Sequence, residues 1–231
     1  MMQFPQLLEA GARVAAISGQ AEGDCGWATP DPARRAAFLA RAGAPPNRLV
    51  ALRQCHGDRV VVAAGDEAGC GLGERENALG DADGVVTGED DLPLGIHVAD
   101  CVPLYLACPK AVALIHAGRE GTSRNIAAKA VAALARECGA DAESLTALIG
   151  PSAGPCCYQV SGELRDAWVA RGLIAEGDHL DLWRTNVAQL IDGGVRKSRI
   201  HVIGHCTICM PGLFSYRGNQ TNQRNLAVIM R

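Results

Sequence analysis

No charge of one sign dominates this chain. Its 22 Lys and Arg stand against 25 Asp and Glu, leaving a formal net charge of −3. A balance so near zero supplies no global field for nucleic acid or an anionic membrane, so any anion must be held by local groups. Long apolar runs are also missing. The opening residues Met1 to Pro5 carry no basic leader, and Glu9 and Arg13 interrupt the short apolar stretch there. This predicts neither a signal peptide nor a membrane span. The expected setting is therefore the cytoplasm, where the ten cysteines would be reduced thiols. Spread over 231 residues, they are too dilute for a disulfide scaffold. No internal repeat and no Ser- or Pro-rich linker divides the chain, which reads as one domain over residues 1–231.

Apolar residues make up 48% and charged residues 20%, enough for a sizeable core. Residues 20–34 read as a Gly-, Asp- and Pro-rich loop that leads into a helix from Pro32 to Ala42, ended by Gly43. Arg48–Gln54 reads as a strand that turns at Gly57-Asp58 into a second, Arg59–Ala64, as a hairpin. A mobile Gly and Glu stretch is expected at 65–82. Gly84–Thr87, Gly95–Ala107 and Ala111–His116 then form apolar runs too short or too broken for helices, and these are expected core strands. Thr122 or Ser123 is the expected N-cap of a helix in which Ile126, Ala130, Val131 and Leu134 recur at helical spacing until Gly139. Further helices are expected at Ser161–Ala170 and at about Asp181–Asp192, with closing strands at Arg199–Gly204 and Asn225–Met230. Interleaving of this kind implies an α+β class.

Pro109-Lys110 punctuates a hairpin between a strand opened by Cys101 and one ended by His116. With that turn, residue 108 faces 111 and residue 101 faces 118, so Cys101 and His116 are diagonal neighbours on one face. Such side chains lie roughly 7–8 Å apart. A metal–thiolate bond of about 2.3 Å and a metal–imidazole bond of about 2.1 Å span much of that gap. His56, beside Gly57 at another strand end, is free to project as a third ligand. A His, Cys and His set leaves the fourth tetrahedral position open, as in a catalytic zinc site. Each residue taken alone also fits a hydrogen-bonded structural His or a buried small Cys.

These residues sit in ordered motifs: Gln54-Cys55-His56-Gly57, Ala99-Asp100-Cys101-Val102-Pro103, His116-Ala117-Gly118, Ile149-Gly150-Pro151-Ser152, Gly154-Pro155-Cys156-Cys157-Tyr158 and Phe214-Ser215-Tyr216-Arg217. From about residue 48 to its C-terminus the chain resembles the laccase-domain proteins, named polyphenol oxidoreductases and also purine nucleoside phosphorylases. The resemblance implies one α+β domain with central mixed sheets packed as a sandwich and flanking helices. It implies metal ligands at His56, Cys101 and His116, with zinc as the ion and copper as an alternative. The implied activities are phosphorolysis of adenosine, inosine and methylthioadenosine, with deamination of adenosine. The partners would be a purine nucleoside and phosphate, with no nucleic acid or membrane, and the chain would act as a monomer or homodimer. Two departures stand out. The family's His-Ala-Gly-Trp-Arg-Gly reads His116-Ala117-Gly118-Arg119-Glu120-Gly121 here, and its Ser-Tyr-Arg-Arg-Asp-Gly reads Ser215-Tyr216-Arg217-Gly218-Asn219-Gln220. Both bear on substrate choice more than on metal binding.

Phosphate contacts are expected from Arg217, Arg119 and the Gly118 to Gly121 turn, because free N–H groups at a helix N-terminus bind anions. Glu120 opposes this electrostatically. Asp100, next to a ligand, is read as an outer partner or a proton acceptor and is counted with His56, Cys101 and His116 in the catalytic set. Cys206-x-x-Cys209 fits half of a structural zinc site, which Cys156-Cys157 would complete, or a redox pair, but the favoured reading is buried thiols, since adjacent cysteines in a strand point to opposite faces and no Gly-Pro active-site turn lies between Cys206 and Cys209. Two other functions compete. A thiol amidase would attack with Cys101 and use His116 as base, and the resemblance, through a peptidoglycan-editing role proposed for that family, implies muropeptide precursors as its substrate. A metal-binding protein without catalysis would follow from the departures at Glu120 and Gly218. A multi-copper oxidase is excluded by ligand count, with six histidines and no His-x-His pair.

Overall fold

The computed structural model describes residues 1–27 and 31–231, so positions 28–30 of the expected 20–34 loop lie outside the described residues. The chain runs β1 (Met2–Gln3), α1 (Pro5–Glu9), β2 (Val14–Ile17), α2 (Pro32–Ala42), β3 (Val50–Ala51) and β4 (Val60–Val62). It continues through β5 (Gly84–Thr87), β6 (Leu94–Val98), β7 (Val102–Cys108), β8 (Ala111–Ala117), α3 (Arg119–Ser123) and α4 (Ile126–Cys138). The last part holds β9 (Thr146–Ile149), α5 (Gly162–Val169), β10 (Ala175–Glu176), β11 (His179–Leu180), α6 (Leu182–Asp192), β12 (Ile200–Val202), α7 (Tyr216–Asn219) and β13 (Asn225–Met230).

Most strands fall into two mixed sheets, of order β1-β2-β13-β6-β3 and β12-β9-β7-β8-β5-β4. Alternation along each strand divides the core into layers. Tyr105, Ala107, Val112 and Leu114 of the six-stranded sheet meet Ile17, Leu94, Ile96, Ala227 and Ile229 of the five-stranded one. Their neighbours Leu104, Leu106, Ala113 and Ile115 point the other way, onto Ile126, Ala130 and Leu134 of α4 and Leu190 of α6. The outer face of the five-stranded sheet packs Ala16, Leu226 and Val228 against Phe38 and Leu39 of α2. The expected α+β sandwich with flanking helices is therefore the observed class. Among the described residues no helix is long and apolar enough to cross a membrane.

Caps set several boundaries as the sequence implies. Asp31, Ser161 and Asp181 accept from backbone N–H groups at the starts of α2, α5 and α6, and Gly43 and Gly139 end α2 and α4 in the left-handed conformation.

Three local expectations are corrected. The segments expected to pair as a hairpin at Gly57-Asp58 lie in different sheets, since β3 pairs in parallel with β6 and β4 in parallel with β5. The link between them crosses from one sheet to the other, which a tight hairpin cannot do. Gly95–Ala107 is likewise two strands, because the chain breaks at Asp100 (φ 89°) and changes sheets there. The helix expected from Thr122 or Ser123 begins at Asn125, whose side chain accepts from Ala128 N while its own backbone is left-handed. Thr122 is unavailable as a cap because it is buried, accepting from Asn186 Nδ2 and donating to the Ala117 carbonyl. The stretch 65–82 contains short 3-10 turns at Gly65–Glu67 and Arg75–Asn77.

Candidate metal centre and its cleft

The two crossings between sheets make the centre. β7 and β8 pair with Val102 opposite Ala117 and Pro103 opposite His116, the register expected from the Pro109-Lys110 turn. Cys101 therefore enters β7 diagonally across from His116 at the end of β8. The β3-to-β4 crossing carries His56, in a left-handed conformation (φ 60°), over the same strand ends. One ligand atom from each of His56, Cys101 and His116 lies within 4.8 Å of the others. The two imidazoles meet edge to face with centroids 4.9 Å apart. His56 is exposed, Cys101 half-buried and His116 buried, so the group opens on one side.

Glycines permit this approach. A Cβ at Gly118 would sit 3.0 Å from Cys101 Sγ, and one at Gly121 would sit 2.7 Å from the Gly57 carbonyl oxygen. Glycine at both positions lets α3 pack closely against the His56 turn.

Asp83, fully buried, organises the group. Its carboxylate accepts from the backbone N–H groups of Cys55 (3.3 Å), His56 (3.0 Å) and Gly57 (2.6 Å) and from Cys55 Sγ (3.1 Å). Asp83 Oδ1 also lies 2.7 Å from His116 Nδ1. This fixes the proton on Nδ1 and turns Nε2 toward Cys101 and His56, the carboxylate–histidine arrangement that orients metal ligands. Burial alone would raise the Asp83 carboxyl, but His116 and the surrounding donors hold it well below the ordinary carboxylate range.

The same balance acts on Cys101 and His116. Burial opposes charge on Cys101, yet the two histidines outweigh it and bring the thiol down to about 6. Burial likewise opposes charge on His116, and Cys101 with Asp83 raises it to about 9. Both shifts run in the direction that favours a thiolate–imidazolium pair in the metal-free centre. Alkylation of Cys101 in chelator-treated protein should accordingly be half-maximal near pH 6 rather than near 9, as rates measured from pH 5 to 9 would show. A midpoint above pH 8 would contradict the pairing.

A cleft of about 740 Å³ opens over the centre. Arg75, Arg119, Arg217 and Arg224 line it beside Gln54, Tyr158, Trp27 and His97. Arg119 is paired with Glu120 Oε1 at 3.0 Å, which offsets the acidic departure noted above. Arg217 lies over the Tyr158 ring, 4.5 Å from its centroid, and donates to the Gln159 carbonyl. Asp100 faces the cleft with its acceptors already engaged: Thr207 Oγ1 (2.7 Å) and Ser215 Oγ (2.6 Å) donate to Oδ1, and Arg217 N (2.7 Å) to Oδ2. It anchors the wall that carries Arg217.

A model of the multi-copper polyphenol oxidoreductase laccase family matches residues 31–231. The chain belongs to this family. A purine nucleoside phosphorylase of Mycobacterium tuberculosis is 35% identical over 205 residues, covering 85% of this chain and 78% of that protein. An adenosine deaminase from an unknown prokaryotic organism is 32% identical over 187 residues, 76% of this chain and 71% of the relative. Among solved structures, YlmD from Geobacillus stearothermophilus superimposes with a TM-score of 0.87 at 29% identity, over 99% of this chain and 94% of that one.

In this laccase-family chain, the structure gathers His56, Cys101 and His116 at one point and places Asp100, Arg119 and Arg217 on the cleft, with Gly118 and Gly121 packed behind it. Sequence reasoning missed Asp83, whose only signal was an acidic residue immediately before a strand, Asp83-Gly84-Val85-Val86. It also missed Trp27 and His97, whose rings lie 4.6 Å apart. Trp27 lies in the loop after β2 and His97 within β6, with no spacing in the sequence that links them. The reading of the second cysteine group as buried thiols holds for Cys206 alone. Cys156 and Cys209 are exposed, and Cys156-Cys157 lies in a turn rather than a strand.

Proposed function

We propose that this chain is a metal-dependent purine nucleoside phosphorylase acting on adenosine, inosine and methylthioadenosine, with adenosine deaminase activity, its catalytic unit spanning residues 1–231. The observation that carries this reading is the convergence of His56, Cys101 and His116 at the floor of an arginine-lined cleft. The donor set fits zinc, with copper as an alternative: two imidazoles and a thiolate, a neighbouring Asp83 that fixes one imidazole, and an open side toward the cleft. When bound, such an ion supplies Lewis-acid activation of water at neutral pH.

The chain's own residues supply the rest. Trp27 and Tyr158 are aromatic walls of the cleft against which a purine would lie, each with an arginine over its ring, Arg35 and Arg217. His97, held neutral because burial pushes it down to about 3, sets its ring against Trp27 with centroids 4.6 Å apart. Arg217 supplies local positive charge for phosphate that the net charge of the chain does not, with Arg119 as a further contact once released from Glu120. The relatives named purine nucleoside phosphorylase and adenosine deaminase support this reading. With adenosine, purified protein should yield inosine with or without phosphate, and adenine only when phosphate is present, as resolved by product chromatography. Arg217→Ala should raise the phosphate KM roughly 10- to 100-fold, the loss of one charge-assisted hydrogen bond of about 1.5–3 kcal/mol. No nucleoside product from metal-loaded protein at high phosphate would refute the assignment.

The Cys101–His116 charge pair favours a second reading, the thiol amidase acting on muropeptide precursors. That reading requires turnover in metal-free protein and its loss when Cys101 is alkylated.

A further inference from the structure

Away from the first centre, Cys156, Cys157, Cys206 and Cys209 bring all four Sγ atoms within 4.8 Å of one another. Cys156 Sγ and Cys209 Sγ are 3.9 Å apart. Four sulfurs held tetrahedrally at about 2.3 Å from a zinc ion are roughly 3.8 Å from each other. A hydrophobic core does not explain this grouping, because Cys156 and Cys209 are exposed.

The backbone explains how neighbouring cysteines converge. Cys157 N and Tyr158 N both return to the Gly154 carbonyl (3.0 and 2.9 Å), so Cys156 and Cys157 stand on a tight turn and not on opposite faces of a strand. Cys206 and Cys209 stand on a second turn closed by Met210 N to the Cys206 carbonyl (3.0 Å). Gly154 N donates to Cys206 Sγ at 3.3 Å, a bond that favours the thiolate needed in a ligand. A side chain at Gly154 would press on Cys206 Cβ at 3.2 Å and on the Trp183 ring at 2.7 Å, so this glycine lets the two turns meet.

We propose that Cys156, Cys157, Cys206 and Cys209 form a second, structural zinc site that clamps two turns together behind the arginine wall of the cleft. The turn bearing Cys156 continues into Tyr158 and Gln159. The one bearing Cys206 leads through Thr207 and Ser215 to Arg217, and these two turns meet where Arg217 stacks on Tyr158. Each ligating thiol gives up its proton to solvent on binding, leaving the set closed by four protein ligands, as structural sites are and catalytic ones are not.

Elemental analysis of zinc-loaded protein tests this independently of the nucleoside reading. A His56→Ala, Cys101→Ser, His116→Ala triple variant should retain one equivalent of zinc, and adding Cys206→Ser should remove it. In the otherwise intact chain, the milder Cys209→Ser should lose one equivalent and lower the Tm, with the fold still present by circular dichroism. Cobalt loaded into the triple variant should give the intense thiolate charge-transfer absorption of a tetrahedral sulfur site. The proposal is overturned if the triple variant binds no zinc, if Cys209→Ser leaves metal content unchanged, or if mass spectrometry finds these cysteines paired as disulfides.

Discussion

Cys101→Ser, His56→Ala and His116→Ala should each lose the ion of the first centre and with it the inosine and adenine produced from adenosine. A hydroxyl in place of the thiolate removes the one anionic ligand, and alanine at either histidine leaves two protein ligands where a catalytic site uses three. The three ligand atoms share one point, so the variants should fail alike and not additively, as groups acting as a unit do. Metal content by elemental analysis and product formation by chromatography should fall together in all three. Retention of the ion by all three variants would place the centre elsewhere. His56 is exposed, so His56→Ala should do this with little loss of stability, which separates the chemical effect from unfolding.

Asp83→Ala should be the most destabilising single change at the site. The carboxylate is wholly buried and receives three backbone N–H groups, a thiol and an imidazole. Removing one member of such a buried charged pair costs about 3–5 kcal/mol. Asp83→Asn keeps the volume and loses the charge. It should preserve the fold more often while lowering metal affinity roughly 10- to 100-fold, because His116 loses the group that fixes its ring. Urea denaturation and metal titration measure the two effects separately. The pH dependence has a definite sign. Asp83 is held low in the folded state, so its stabilisation is complete above the ordinary carboxylate value of about 3.9 and is lost as pH falls below it. Wild-type stability should thus fall more steeply in acid than that of Asp83→Asn. Equal acid sensitivity of the two proteins would remove Asp83 from this role.

The local grammar of the chain carried much of the outcome. Asp31 with Pro32, Ser161 and Asp181 set helix starts, Gly43 and Gly139 set helix ends, and Pro109-Lys110 set the register that makes Cys101 the diagonal neighbour of His116. Each depends on residues a few positions apart, so sequence spacing alone is sufficient. The motifs around His56, Cys101 and His116 also sufficed to single out the three residues that the fold brings within 4.8 Å of one another, through the family that shares them.

Only the tertiary structure decided where strands β3 and β4 go and what stands behind the ligands. A tight turn and a crossing between sheets use the same Gly57-Asp58 punctuation, and only the partners, β6 and β5, distinguish them. Asp83 reaches residues 55 to 57 and 116 through such long-range pairing. The cysteines at 156, 157, 206 and 209 meet because two turns distant in sequence pack through Gly154. Spacing in sequence records the conformation of one segment, whereas contact between segments depends on which apolar faces are buried together, and that is settled when the two sheets close on their shared core.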